Sequence, residues 1–216
     1  MPTARTLHAG IESPFAWLRL GAAAVLSTIG GVGTWSVPVM LPAVQVEFGV
    51  ARADASLPFT LAMVGFALGG VLMGRLSDRF GIVMPVLCGI IALSAGYIAA
   101  GFASGLMLFA LVYVLIGLGS SATFGPLMAD TSQWFTRRRG IAVAIASSGN
   151  YAAGAVWPPV LHHFVATEGW RATHIGAGVF CALGMLPLLL LLRRRAPTQG
   201  DAATEGSIAA ARRDAA

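Results

Sequence analysis

The sequence contains no lysine and few charged residues of any kind. Charged residues make up 11% of the chain's 216 residues, whereas soluble domains carry roughly 25%. Hydrophobic residues make up 56% of the sequence, and its mean hydropathy is +0.77. This composition excludes a water-facing globule, because too little polar surface remains to cover the apolar residues.

Cysteine is also scarce, and no group of metal ligands stands out. Cys88 and Cys181 lie inside apolar runs, which predicts small core residues rather than a disulfide framework. His162, His163 and His174 fall near the ends of apolar runs and are interpreted as solvated or interfacial side chains. A metal site needs more convergent ligands than these, so the sequence predicts neither a metal nor a cofactor.

Six stretches lack Asp, Glu, Lys and Arg and approach or exceed the roughly 20 residues that cross a bilayer as a helix. Lipid offers no partners to backbone amides, so each stretch is predicted to be helical. The first run is too long for the apolar region of a signal peptide and is interpreted as a span. The sequence therefore predicts an all-α fold, that of a polytopic membrane protein whose spans contact the lipid bilayer. The predicted spans are Leu20–Pro42, Leu57–Gly74, Ile82–Ala103, Leu106–Ala129, Gly140–Val165 and Ala172–Leu192.

The arginines fall between these apolar runs and form no basic face, which argues against a nucleic-acid partner. With the N-terminus inside, twelve arginines are cytoplasmic and only Arg52 and Arg171 lie outside. This bias predicts that both termini are cytoplasmic, in the inner or plasma membrane of a cell. The predicted division is a cytoplasmic N-terminal segment (1–19), a six-helix bundle (20–195) and a disordered cytoplasmic tail (196–216).

A short polar string separates the second and third spans: Gly74-Arg-Leu76-Ser-Asp78-Arg79-Phe-Gly81. Glycines at both ends favour a tight cytoplasmic turn. Asp78 is expected just before the third span, where a carboxylate meets the positive end of the helix dipole.

A second string opens the fifth span, from Trp134-Phe135-Thr-Arg137-Arg138-Arg139 through Ala142 to Ser148-Gly149. Its basic cluster is expected to anchor the cytoplasmic end of the helix. The small residues that follow are typical of a face on which another helix packs closely.

The first string resembles the signature loop of the major facilitator superfamily, G-x-L-x-D-R-x-G, although Ile82-Val83 replace the usual trailing basic pair. The second string and Gly169-Trp170-Arg171 are similar to the monocarboxylate porters and oxalate–formate antiporters. The chain thus resembles the N-terminal six-helix half of such a transporter, a three-plus-three repeat. The resemblance implies an inner gate at Gly74, Asp78, Arg79 and Gly81, with Asp78 contacting a helix of the other half. It also implies a fifth-helix signature at Trp134, Phe135, Arg137, Arg138, Ala142 and Gly149.

Polar residues inside the spans are the candidates for a cavity lining, with helix–helix hydrogen bonding as the alternative for each of them. No predicted span contains a charged residue, and Tyr113 stands where many proton-coupled members of the superfamily carry an arginine. The candidate lining residues are Thr34, Tyr113, Ser120, Asn150 and Tyr151.

The sequence therefore predicts a secondary transporter, or its N-terminal half, that moves small solutes by alternating access. The resemblance implies organic anions such as monocarboxylates as cargo, and a second six-helix half or a second copy of the chain as partner. A half-size membrane protein that binds or regulates a partner, and a non-functional truncated fragment, stay open as alternatives. An intramembrane protease is not favoured, because Ser148 and His174 belong to opposite ends of the bundle.

Overall fold

The computed structural model describes residues 12–193, which fold into helices and turns without a β-strand. The predicted tail 196–216 and most of the N-terminal segment lie outside these residues. The helices are α1 (Pro14–Gly30), α2 (Val32–Phe48), α3 (Arg52–Ala55), α4 (Leu57–Phe80), α5 (Val83–Gly101), α6 (Leu106–Ser121), α7 (Gly125–Trp134) and α8 (Arg139–Leu191).

These helices provide six segments that are suited to cross a membrane. Five helical segments within residues 12–193 are long and apolar enough to cross a bilayer. The last, α8, has 53 residues and would be about 80 Å long if straight, far more than the roughly 30 Å of hydrocarbon. It breaks at Gly169, whose φ of 82° and ψ of 161° are not helical. The six-span all-α fold is thus confirmed. We number the crossings as span 1 (α1–α2), span 2 (α4), span 3 (α5), span 4 (α6–α7), span 5 (139–168) and span 6 (170–191).

Several helices extend beyond the predicted ends of the apolar runs. The first begins at Pro14, where the Ser13 hydroxyl accepts a hydrogen bond from the Ala16 amide at 3.2 Å. The same span continues to Phe48 and ends at Gly49, which adopts the left-handed conformation with φ of 62°. The spans therefore include charged residues that the sequence analysis assigned to loops.

Glycines let the backbones of neighbouring spans come into direct contact. A Cβ atom on Gly65 would lie 2.1 Å from the Val114 carbonyl oxygen, and one on Gly117 would lie 1.9 Å from the Ala62 carbonyl oxygen. Spans 2 and 4 are therefore in backbone contact. Gly149 brings span 5 equally close to span 1, because its Cβ would lie 2.2 Å from the Ala24 carbonyl oxygen.

The bundle covers its spans unequally. In the most apolar window of span 1, 61% of the residues are buried, whereas in that of span 2 only 28% are buried. Added Cβ atoms on Gly70 and Gly74 of span 2 would meet no atom within 4 Å. Span 2 thus presents a broad face that the described residues leave uncovered.

Candidate functional site

The predicted gate lies at the end of span 2. Gly81 terminates α4 with φ of 81°, and its amide donates to the Ser77 carbonyl at 2.8 Å. Asp78 is therefore in the last turn of α4, and α5 begins only at Val83. This position corrects the expectation that Asp78 faces the positive end of span 3. It lies at the negative end of span 2 instead.

Asp78 and its neighbour Arg79 project from the bundle. Both are exposed, and the Arg79 guanidinium lies 5.3 Å from the centre of the Phe80 ring. Within residues 12–193, Asp78 has no hydrogen-bond or ion-pair partner. A carboxylate at a helix C-terminus is unfavourable by roughly 0.3–1 kcal/mol, so the fold of this chain does not explain its position.

The fifth-helix signature packs against the beginning of span 1. Trp134 and Phe135 are buried, and their rings contact Phe15 and Trp17 with centroid separations of 5.7 and 5.1 Å. Glu12 completes this contact, because its carboxylate accepts a hydrogen bond from the Arg138 amide at 2.8 Å.

The remaining members of the signature divide by burial. Arg137 and Arg138 are exposed at the start of span 5, and Ala142 is fully buried. Gly149 makes the backbone contact with span 1 described above. The signature therefore holds spans 1, 4 and 5 together at one end of the bundle.

An ion pair at the same end was missed by sequence reasoning. The Arg19 guanidinium donates to Asp130 at 2.7 Å and to the Leu191 carbonyl at 3.2 Å, and it lies 4.8 Å from the centre of the Trp134 ring. Only 3% of the Arg19 side chain is exposed. Arg19 was interpreted as a topology signal outside the spans, and this interpretation was incomplete because α1 begins before it. The sequence offered one indication of this ion pair: Arg19 and Asp130 are both predicted to lie on the cytoplasmic side of the membrane.

The candidate cavity residues separate into two groups. Tyr113 and Ser120 are buried between helices, where Ser120 lies against Gly33 of span 1. The structure therefore places these two side chains inside the bundle rather than on an open surface. By contrast, Tyr151 of span 5 has 71% of its surface exposed.

Thr34 and Asn150 are partly exposed on the neighbouring spans 1 and 5. The Trp35 indole donates to the Asn150 carbonyl at 3.3 Å, and the Asn150 side chain lies beside Gly31. The second group is therefore at least partly exposed and lies on the adjacent spans 1 and 5. It consists of Thr34, Asn150 and Tyr151.

Tyr113 belongs to a buried polar cluster that the sequence analysis did not anticipate. His174, interpreted as solvated or interfacial, is fully buried, which corrects that interpretation. Its Nδ1 lies 2.8 Å from the Trp170 carbonyl oxygen and its Nε2 lies 2.9 Å from the Tyr113 hydroxyl. A carbonyl can only accept, so Nδ1 carries the proton and Nε2 accepts from Tyr113. His162 and His163 are exposed, as expected.

A second charged contact, between Arg171 and Glu47, lies at the other end of the bundle. Arg171 donates to Glu47 at 3.0 and 2.7 Å and to the carbonyls of Gly101 and Ala103 at 3.1 and 2.8 Å. The Trp170 indole also donates to the Glu47 carboxylate. This contact joins span 1, the end of span 3 and the start of span 6.

Within residues 12–193, the structure shows neither a cluster of metal-ligand side chains nor a contact between Ser148 and His174. No three His, Cys, Asp or Glu side chains converge there. Ser148 donates to the Ile145 carbonyl at 2.8 Å, whereas His174 bonds with Tyr113 and Trp170. Ser148 and His174 therefore do not form a hydrogen-bonded pair.

Comparison with known proteins finds one family and several transporters. Residues 23–215 match the sequence profile of the Major Facilitator Superfamily. The riboflavin transporter RibJ of Trypanosoma brucei brucei is 31% identical over 139 residues, which cover 64% of this chain and 25% of that protein.

Two further relatives cover more of the chain. Human monocarboxylate transporter 11 is 27% identical over 90% of this chain and 43% of its own length. The probable sulfoacetate transporter SauU of Cupriavidus necator is 26% identical over 74% of this chain and 37% of its own length. The chain thus spans less than half the length of each of these relatives.

Proposed function

Because the chain belongs to the major facilitator superfamily, we propose that it is the N-terminal half of a secondary transporter. Its six spans would move against a second six-helix bundle, so that a site between the bundles opens to each side of the membrane in turn. The relatives reported above are named as transporters, which supports a role in transport.

The observation that carries the proposal is the uncovered face of span 2. Gly70 and Gly74 are four residues apart, which places them on one side of the helix, and both have open space beside them. Gly65 and Gly69 have the same spacing on α4, and both are in backbone contact with span 4. Small residues at this spacing are typical of close helix–helix packing in lipid. The free pair is suited to a partner helix from the second half.

Asp78 supports the same partner. Its carboxylate is exposed at the unfavourable end of α4 and has no partner within residues 12–193. The positive N-terminus of a helix in the second half would turn this unfavourable position into a favourable one. We assign Asp78 to the closure of the gate, with Arg79 beside it. Gly81 ends the helix and forms the turn, whereas Gly74 lies within α4 on its open face.

The proposed cargo is a small organic anion such as a monocarboxylate. Two of the relatives above are named for organic anions, monocarboxylates and sulfoacetate. On this chain, we assign solute contacts to Thr34, Asn150 and Tyr151, which are at least partly exposed on spans 1 and 5. Tyr113 and Ser120 would support the cavity wall from inside the bundle.

The second half would supply the positive charge for an anion. The buried Arg19 of this chain is paired with Asp130, and Arg171 is paired with Glu47. Neither guanidinium is free to neutralise a carboxylate on the cavity side.

A flux experiment tests this function. The purified chain in liposomes should show no saturable uptake of radiolabelled monocarboxylates while its crosslinked mass is that of a monomer. Co-reconstitution with the C-terminal half of a related transporter should produce saturable uptake. Gly70→Leu should prevent that assembly, whereas Gly176→Leu on span 6, which is equally open to an added side chain, should not.

Saturable uptake by a demonstrated monomer would overturn the proposal. Uptake by a crosslinked homodimer would show that a second copy supplies the other wall of the site. Failure of any C-terminal half to copurify with the chain would favour a protein that does not transport.

A further inference from the structure

A groove runs between the two arms of the α8 hairpin. It encloses about 580 Å³, and its floor is formed by Thr28 and Ile29 of span 1. We call it the hairpin groove. Its walls include Val156, Trp157, Phe164 and Glu168 from span 5, and Thr173, Gly176 and Phe180 from span 6.

The wall of the groove is apolar because its polar side chains already have partners. The Trp157 indole donates to the Thr28 carbonyl at 2.7 Å, and the Thr28 hydroxyl donates to backbone carbonyls of spans 1 and 5. The Thr173 hydroxyl donates to the Gly169 carbonyl at 2.7 Å. Water gains few hydrogen bonds on such a surface, so an apolar occupant is favoured.

The dimensions of the groove match one leaflet of a bilayer. Along span 5 the lining runs from Val156 to Glu168, and this distance of twelve residues is about 18 Å in a helix. Half of the roughly 30 Å hydrocarbon thickness is about 15 Å. The groove is therefore long enough for an acyl chain that reaches from the membrane surface to the middle of the bilayer.

One charged side chain lies at the mouth of the groove. Glu168 is adjacent to Gly169, where the hairpin turns at the membrane surface, and its side chain is exposed. Within residues 12–193 the Glu168 carboxylate has no hydrogen-bond or ion-pair partner. An apolar slot one leaflet deep that ends at an unpaired carboxylate is complementary to a lipid with a cationic headgroup.

We propose that the hairpin groove binds one acyl chain of a phospholipid whose headgroup carries a primary amine, with the ammonium paired to Glu168. The amine of phosphatidylethanolamine supplies both a positive charge and hydrogen-bond donors to the carboxylate. The acyl chain gains contact with the Trp157, Phe164 and Phe180 side chains. All of the residues that line this site belong to spans 1, 5 and 6 of this chain.

Native mass spectrometry of the purified full chain tests the proposal. The protein is titrated with phosphatidylethanolamine or phosphatidylglycerol of identical acyl chains, and the retained lipid is counted. We expect about fivefold tighter retention of phosphatidylethanolamine, the size of one charge pair at a wet interface. Glu168→Gln should abolish this preference and leave acyl-chain binding in place.

A second variant tests the groove itself. A Cβ on Gly176 meets no atom within 4 Å, so Gly176→Leu places a branched side chain in the groove, where it would obstruct an acyl chain. This variant should lose the retained lipid, whereas Gly70→Leu, the same change on span 2, should keep it. Far-UV circular dichroism checks that both variants fold. Quenching of tryptophan fluorescence by brominated phosphatidylethanolamine should fall in Gly176→Leu, because Trp157 lines the groove.

Each outcome decides part of the proposal. Equal retention by Gly176→Leu and Gly70→Leu, together with unchanged quenching, would overturn the groove as the binding site. Equal retention of the two lipids by the wild-type chain would overturn the role of Glu168 as the headgroup partner. Neither outcome affects the proposed transport function, which is tested by flux with a second half.

Discussion

The Arg19 guanidinium donates two hydrogen bonds to a single carboxylate oxygen of Asp130, from Nε at 3.1 Å and from Nη2 at 2.7 Å. The two residues are 111 positions apart in the sequence and join the ends of spans 1 and 4. Only 3% of the arginine and 13% of the aspartate side chain are exposed. Removal of either partner would therefore leave a buried charge uncompensated.

We expect Asp130→Asn to lower the free energy of unfolding by about 3 kcal/mol or more, as found when one partner of a buried pair is removed. Urea unfolding in detergent micelles, followed by circular dichroism, measures the change. Glu47→Gln is the control, since the Glu47–Arg171 pair is about 40% exposed and contributes at most about 1 kcal/mol. Equal small effects at both sites would contradict the importance of burial.

Replacement of both partners should cost less than replacement of one. The double variant with Arg19→Leu and Asp130→Leu leaves no charge buried at this site. Most of the stability lost in Asp130→Asn should therefore return. The same unfolding titration compares it with Asp130→Asn. A double variant less stable than Asp130→Asn would show that Arg19 acts mainly through its contacts with Trp134 and Leu191.

Gly117 and Gly70 should respond to alanine in opposite directions. The added methyl at Gly117 would lie 1.9 Å from the Ala62 carbonyl oxygen, so Gly117→Ala should destabilise the bundle by about 1–3 kcal/mol. Gly70→Ala meets no atom and should stabilise the isolated chain by up to about 1 kcal/mol through helix propensity. Thermal unfolding of both variants gives the two signs, and a neutral Gly117→Ala would refute the backbone contact.

Tyr113→Phe should destabilise the bundle although it removes only one oxygen atom. It leaves the buried Nε2 of His174 without its donor, and an unsatisfied buried acceptor costs about 1–3 kcal/mol. The exposed Tyr151→Phe is the matched control and should change stability by less than about 0.5 kcal/mol. If the two variants had the same stability, the hydrogen bond between Tyr113 and His174 would be energetically unimportant.

Asp78→Asn should impair transport by the assembly of both halves without reducing the amount of protein in the membrane. The change removes the charge that would face a helix N-terminus of the second half, and it disturbs no contact within residues 12–193. Initial uptake rates, normalised to the reconstituted protein, provide the measurement. Wild-type rates in Asp78→Asn would reduce this position to an ordinary turn residue.

Both termini should be accessible only from the cytoplasm. With Cys88 and Cys181 replaced by alanine, single cysteines at Thr3 and Gly200 should react with an impermeant maleimide only after the cells are opened. A cysteine at Glu168, on the opposite side of the six-span arrangement, should react in intact cells. Labelling of Thr3 or Gly200 from outside would reverse the proposed orientation.

The sequence by itself determined the number and type of the spans. A bilayer requires about 20 apolar residues per crossing and internal satisfaction of every backbone group, so run lengths alone predict helices. The signature strings around Asp78 and Trp134 also identified the family from sequence. Their residues are nearly consecutive, so they can be recognised without knowing which other helices they contact.

Only the tertiary structure decided which residues meet across the bundle. The contacts of Arg19 with Asp130 and of His174 with Tyr113 depend on the rotation and crossing of separate helices, which the hydropathy of a single helix does not specify. The same is true of Gly65 and Gly70, which look alike in sequence, although one is in backbone contact with span 4 and the other is open. Hydrophobicity drives a helix into lipid equally well in any rotation, whereas close packing and buried hydrogen bonds select one arrangement.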